Sequence, residues 1–465
     1  MSGIRDVVFL LVWLGLIPVS LLRPWLGVLA WYWIAFMAPH GLTWGFARTL
    51  PVALGIGGAT LLGFILSRDR KPIPRTPTVI ALVAFAAHIT LTTVLAYNSE
   101  AWSKWDWVSK VLLMTFVTMS LFQDRVRLRW LYMVTALGLG FYGLKGGVWV
   151  LRTGGGERVY GPDMSFFADN NTLGLALCMI LPMLLYLSRE EPRRWLKNIM
   201  RAMFFFTIIA ILFTYSRGAV LGLVVILSVL VWRSPWRLRF GIALVVGALI
   251  ATPFIPDRLS ERIGSISEQE SQETRDSSVQ GRFEAWRTAW NIAVDRPLTG
   301  AGFRALWNED IWNSYYGSDF LAVRDTHSLY FEVLSEHGFV GFGLYLLVLA
   351  STLVSLWRIR RRWRGHPEYG YIANYAEMTQ LCLYPYMIAG AFITVAYFDL
   401  YFYFVASSVM LGALSNQAEK ALAPEPVAVL RGRKAIPSTS ARPARAPRRP
   451  LPSPRPLPSP RKRHA

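Results

Sequence analysis

Acidic and basic residues make up only 17% of the 465-residue chain, against 53% hydrophobic residues. That is too little charge to clothe a soluble protein of this length. Cysteine is nearly absent, with Cys178 and Cys382 the only two. Both sit inside apolar runs and read as small packing residues, so neither a disulfide framework nor a thiolate metal site is expected. The chain also lacks a P-loop, a dinucleotide glycine fingerprint, an HExxH helix and any cysteine–histidine metal spacing. ATP-driven transport and metal hydrolysis lose most of their support with them. No small-residue cleavage site follows the N-terminal run Val7–Leu22; Arg23-Pro24 and another apolar run come next. That run reads as a retained span and not as a removable signal peptide.

What the chain has in quantity is apolar runs of roughly 15 to 22 residues, the length a helix needs to cross a hydrocarbon core of about 30 Å. The candidate spans are Val7–Leu22, Leu26–Met37, Leu50–Leu66, Val79–Ala96, Trp107–Phe122, Trp130–Leu151, Thr172–Leu187, Met200–Thr214, Ala219–Val231, Phe240–Ile255, Phe339–Trp357, Tyr375–Phe398 and Tyr401–Leu414. This pattern predicts an all-α polytopic membrane protein of about twelve to thirteen transmembrane helices. The formal charge of +20 is not spread evenly; Lys and Arg cluster between apolar runs and in the C-terminal segment. Such clusters indicate orientation and give no reason to expect a nucleic-acid partner. The basic loops Ser67–Arg75, Gln123–Arg129, Ser188–Arg201, Arg233–Arg239 and Arg358–Arg364 are expected to face the cytoplasm. Between them, Tyr97–Asp106, Arg152–Asn171, Tyr215–Gly218, Pro256–Gly338 and the turn around Asp399 face the other side. The N-terminus then lies outside, unless one of the first two segments is re-entrant.

Residues 1–415 thus form a membrane-embedded domain with one large outside loop, 256–338. Its Pro256–Asp325 part is too long for a plain connector and should contain helices. Phe283–Ala293 has helical spacing of Trp286, Trp290 and Ala293, while Ser271–Val279 reads as disordered. The segment 416–465 is rich in Pro, Arg, Ala and Ser. It reads as a disordered cytoplasmic tail, held near the anionic inner leaflet by its charge.

Three motifs on the outside face are candidates for chemistry. Tyr215-Ser216-Arg217-Gly218 falls where one span ends and the next begins, with no room for a soluble loop. An arginine at that depth either snorkels to the interface or meets an anion in a cavity. Gly281-Arg282-Phe283-Glu284-Ala285-Trp286 is expected to open an amphipathic helix, its arginine either solvated or reaching a phosphate. In Asp325-Thr326-His327-Ser328, Asp325 or Thr326 is expected to cap the following helix, with His327 in its first turn. On an unbroken helix Gly338 would then share the stripe of His327, since eleven residues advance about 1100°. Gly338 and Gly341 would let another backbone or a lipid approach. A helix N-terminus disfavours imidazolium, leaving His327 neutral and able to accept a proton; the plain alternative is a histidine that packs or caps. Lys145, within Gly143-Leu144-Lys145-Gly146-Gly147, is an ionisable group inside a span. The loop residues Arg158, Asp169 and Asn170, together with Ser328, are weaker candidates for substrate contact.

His327-Ser328 followed by Gly338-x-x-Gly341 resembles the histidine signature of the bacterial O-antigen ligase and Wzy-type polymerase superfamily. Tyr-Ser-Arg-Gly at 215–218 and Gly-Arg-x-x-x-Trp at 281–286 resemble its two arginine motifs, in the same order. Within it, Pro39-His40-Gly41-Leu42-Thr43-Trp44-Gly45-Phe46, the Gly143–Gly147 segment and the run Asp325–Gly341 are similar to the O-glycosylation ligases associated with the exosortase A system. The resemblance covers about residues 1–415 and implies a GT-C-like, metal-independent, inverting glycosyltransferase without a cofactor. It implies an undecaprenyl (polyprenyl) diphosphate-linked glycan as donor and a protein, lipid-core or polysaccharide acceptor. It also implies the bacterial inner membrane, with the active site facing the periplasm.

On this resemblance Arg217 and Arg282 would bind the diphosphate and His327 would activate the acceptor hydroxyl. The chemistry suits the residue types: a departing diphosphate gathers negative charge, and guanidinium offers permanently charged, paired donors. A neutral histidine near pH 7 suits a general base. A polymerase extending a lipid-linked glycan would need the same groups. A transporter or flippase would also use intramembrane Lys145 and Arg217, but the two halves of the chain show no convincing repeat.

Overall fold

The computed structural model describes residues 2–235, 237–239, 241–242, 272–316 and 325–423. Among them no strand occurs. The helices are α1 (Ser2–Leu22), α2 (Pro24–Met37), α3 (Val52–Leu66), α4 (Pro77–Val94), α5 (Ala101–Leu121), α6 (Arg125–Thr153), α7 (Asn170–Glu190), α8 (Arg194–Leu212) and α9 (Arg217–Arg233). They are followed by α10 (Gln272–Asp295), α11 (Glu309–Tyr316), α12 (Leu329–Trp363), α13 (Gly370–Ala389) and α14 (Asp399–Leu422). Residues Met1–Ala421 form one compact unit.

Local chemistry sets the helix ends. Pro24 and Pro77 begin α2 and α4, where a missing N–H is harmless. Thr76, Asp124, Asp169 and Ser216 cap α4, α6, α7 and α9 through side-chain oxygens. Among the described residues six helices, α1, α4, α6, α7, α8 and α12, are long and apolar enough to cross a membrane, and α2 and α3 are shorter apolar helices. The chain is therefore an all-α polytopic membrane protein. By length and composition, these six are fewer than the candidate segments in the sequence. Phe240–Ile255 lies almost wholly outside the described residues, as do 256–271 and 424–465. Tyr375–Phe398 is not one helix: α13 stops at Ala389, a 3-10 turn covers Gly390–Phe392, and the chain is irregular up to α14. The last helix also passes residue 415, running to Leu422.

The interior is built around α7, which packs against α6, α8, α9 and α13. It is buried on nearly every side, as a helix apolar all round should be. On α14, Tyr403 meets Tyr32 and Tyr132, and Tyr401 stacks on Tyr386 at 4.7 Å. Cys178 and Cys382 are buried packing residues. Close approach of α6 and α8 depends on glycine: a Cβ on Gly143 would overlap Thr207, and one on Gly147 would overlap the Phe206 carbonyl.

The basic loops converge at one end of this bundle. Arg127 pairs with Asp69 at 2.7 Å and Arg129 with Glu191 at 2.5 Å. Arg233 and Arg360 share Glu377, at 2.8 and 2.9 Å. Trp25, at the start of α2, lies under Arg127 at that same end. The beginning of α1 belongs to the opposite end. Asp6 accepts from the N–H groups of Gly45 and Ala47, and nearby Arg48 pairs with Asp163 of the Arg152–Asn171 loop at 3.1 Å. The start of α1 and the start of α2 thus lie at opposite ends.

Gly147→Val should force α6 and α8 apart at an overpacking penalty of about 1–3 kcal/mol. Thermal unfolding in detergent should shift down by several degrees; an unchanged midpoint would mean that this contact has slack.

Candidate active site

At the end away from the basic loops, the turn between α8 and α9 is locked on three sides. Tyr215 takes a left-handed backbone with φ of 53°, and its hydroxyl donates to the Gly155 carbonyl at 2.6 Å. The Asn170 amide donates to the Thr214 carbonyl at 2.8 Å, and the Ser216 N–H meets Thr214 Oγ1 at 3.3 Å. Arg217 is thereby the first residue of α9, with its side chain exposed. A guanidinium beside the free N–H groups of a helix start makes a doubly positive spot.

Arg282 lies well inside α10 and does not open it, because the helix already begins at Gln272. That start also makes helix of most of Ser271–Val279, a stretch whose sequence reads as disordered. Arg282 is half-buried, and burial first, then the charge of Arg217, lowers its pKa from the ordinary arginine value. Arg217 is thus near enough to act on Arg282 through space. Among the described residues no carboxylate forms an ion pair with either arginine.

One helical turn beyond Arg282, Trp286 stacks on Phe331 of α12 at 5.1 Å. Its indole N–H donates to the Thr326 carbonyl at 2.8 Å. This bond ties α10 to the residue preceding His327. The N-cap of α12 is Ser328, not Asp325 or Thr326. His327 therefore sits before the helix and not in its first turn, exposed and with φ of 44°. Thr326 and Ser328 on either side of it are buried. Gly338 does not continue the stripe of His327, since its backbone is non-helical (φ 65°, ψ −170°) and kinks α12. Its lack of a side chain serves the approach of another backbone: a Cβ there would lie 2.6 Å from the Pro297 carbonyl and 2.9 Å from the Gly300 nitrogen. Gly341 likewise leaves space for His88.

The structure thus brings the two arginine motifs and the histidine motif to one end, with Trp286 linking the Arg282 helix to the His327 segment. Arg158 is exposed in the neighbouring loop, where the Val159 N–H donates to the Phe213 carbonyl at 2.9 Å. Asp169 caps α7, accepting from Asn171 and Thr172, and Asn170 holds the Thr214 turn. Both thus have structural work apart from any ligand. Lys145 is exposed on α6, and no contact in the structure joins it to the arginines or to His327. A separate apolar cavity of about 510 Å³ lies between α2, α3 and α5, lined by Trp31, Met114, Phe166 and Lys110. None of the three motifs lines it.

Sequence reasoning passed over the acidic residues of α12. Glu332 accepts from the Ala396 N–H at 2.9 Å. Glu336 accepts from the Arg304 N–H at 2.7 Å and from the Tyr397 hydroxyl at 2.5 Å. Two glutamates four apart in an apolar helix were the available signal. They anchor the irregular stretch before α14, whose Ile393 side chain, with the Ala389 carbonyl at the end of α13, adjoins Gly218.

Residues 202–346 match the O-antigen ligase family. The match takes in Arg217, Arg282 and His327, the three motif positions that converge here, and it supports the ligase and Wzy-type superfamily. Residues 4–192 match a family of unknown function. No curated protein matches the chain. The O-antigen ligase match supports a ligase- or polymerase-like glycosyltransferase acting on a lipid-linked glycan and an acceptor, within a multi-pass membrane protein.

Trp286→Phe should keep the stack on Phe331 but lose the bond to Thr326, a change worth about 1 kcal/mol. Hydrogen exchange at Thr326–Leu329 should quicken while α7 stays protected. Unchanged exchange there would mean that the indole does not hold the His327 segment.

Proposed function

We propose that this protein transfers a glycan from a polyprenyl diphosphate carrier to a protein, lipid or polysaccharide hydroxyl without a metal ion. The reading is carried by one observation: a half-buried Arg282 within the field of Arg217, on the helix whose Trp286 holds the segment of His327. Two cations without a carboxylate partner among the described residues favour a ligand with more than one negative charge. A diphosphate meets that need, and it gains charge as the glycosidic bond breaks, so the same arginines stabilise the leaving group.

The acceptor oxygen attacks the anomeric carbon from the side opposite the diphosphate, which inverts the configuration there. His327 takes the acceptor proton as the new bond forms, and being exposed it can pass that proton to water. The locked Tyr215 turn fixes where the diphosphate binds. The basic end of the bundle supports a cytoplasmic side there, and with it a site at the periplasmic face of a bacterial inner membrane. The likeness to exosortase-associated ligases favours a surface protein or exopolysaccharide route for the product.

In cells lacking the gene, complementation with His327→Ala or Arg282→Ala should reduce transfer by roughly 10²–10⁴-fold, the usual range for losing a general base. Arg217→Lys keeps the charge but not the paired donors and should fall between wild type and null. Accumulated full-length lipid-linked glycan beside unmodified acceptor is the result expected of a ligase. Accumulated single repeat units would make the protein a polymerase, and unchanged glycans in every variant would end the enzyme reading.

A further inference from the structure

One long face of α10 is apolar and uncovered. Phe283, Trp290, Val294 and, just beyond the helix, Leu298 are all at least half exposed. Steps of seven and eleven residues advance a helix by about 700° and 1100°, so the first three fall within about 20° of one line. Arg287 is also exposed on this side. The opposite side, with Ala285, Ala289, Ile292 and Ala293, is buried. Bulky apolar residues interrupted by a single cation are the pattern of a helix lying in a membrane interface.

Two spanning helices fix the level of its last turn. Trp290 meets Phe339 edge-on at 5.5 Å, and the Phe339 N–H donates to the Pro297 carbonyl at 2.8 Å. Phe339 opens the long apolar stretch of α12 beyond the Gly338 kink. On the other flank the Arg296 guanidinium lies 4.3 Å from the Tyr97 ring and reaches the Leu95 carbonyl at 3.5 Å. Leu95 caps the end of α4, itself a candidate span. The end of α10 therefore stands level with the outer ends of both apolar stretches. Exposed Val94, Leu95 and Tyr97 on one side, and Phe339 and Val340 on the other, continue its apolar surface.

We propose that this face of α10 is seated in the outer-leaflet interface of the bilayer, with Trp290, Val294 and Leu298 at the acyl boundary and Arg287 among the phosphate groups. The occupant is lipid because the face runs without a break into surfaces that spanning helices turn toward hydrocarbon. The inference rests on exposure and position alone, so it stands or falls apart from the proposed reaction.

The test uses full-length protein in nanodiscs of phosphatidylethanolamine and phosphatidylglycerol, with an environment-sensitive fluorophore on Val294→Cys or Leu298→Cys. Buried Cys178 and Cys382 leave the introduced thiol as the accessible one. Leu347→Cys on the exposed side of α12 serves as the lipid reference, and Asp310→Cys at an exposed position of α11 as the aqueous one. Labels at 294 and 298 are expected to be quenched by spin-labelled lipid at least half as strongly as the Leu347 label, and to resist aqueous iodide. If both instead behave like the Asp310 label, the face meets water or a protein partner and the inference is overturned. Val294 and Leu298 are separate sites, so misfolding of one variant leaves the other to decide.

Discussion

Two guanidinium groups in reach of each other's field, one of them half-buried, repel unless an anion joins them. Arg217 and Arg282 stand in that relation, and the backbone that carries each is held. The Tyr215 turn fixes one on the start of α9, and the Trp286 anchor fixes the helix that carries the other. Left-handed backbone at Tyr215 and His327 adds strain, commonly about 1–3 kcal/mol per residue, at the same end of the molecule. Two cations carried on anchored backbone suit a preformed site for a multiply charged anion.

Holding irregular chain at the rim of a membrane bundle raises a second demand, because unpaired backbone groups are expensive away from water. Glu332 and Glu336 answer it. Each carboxylate receives a backbone N–H from a loop, at Ala396 and at Arg304, and Tyr397 closes the pair. The hydroxyl of Tyr386 caps the Val395 carbonyl at 2.9 Å, and that of Tyr345 reaches the Ala396 carbonyl at 3.3 Å. The kink at Gly338 admits the Arg296–Gly300 turn alongside. Loops that border Arg217 and His327 are in this way fastened to spanning helices.

Much of this was legible in the sequence. Apolar run length gave the helices, and loop charge grouped the basic loops on one side, three of which the Arg127–Asp69 and Arg129–Glu191 pairs bring together. The arginine and histidine motifs pointed to one end of the molecule. What misled was the assumption of unbroken helical geometry. Counting eleven residues from His327 to Gly338 presumes a continuous helix, whereas Ser328 starts it late and Gly338 breaks it. The segment Tyr375–Phe398 misled for a related reason: its composition is apolar throughout, and only the distant Glu332 and tyrosine hydroxyls make an irregular backbone tolerable there. The capping by Asp169 and the turn bond of Asn170 were not separable in the sequence from substrate contact, because both draw on the same polar side chains.

The central claim is that Arg217 and Arg282 serve one multiply charged anion. Equilibrium binding of undecaprenyl diphosphate to the purified protein, measured across the cycle of Arg217→Ala, Arg282→Ala and the double variant, tests it most directly. The account predicts strong coupling, with the double variant binding much as the weaker single one does, an interaction of about 0.5–3 kcal/mol. Losses that simply add, or a single variant that binds as wild type does, would place the two arginines on separate tasks and contradict the shared site.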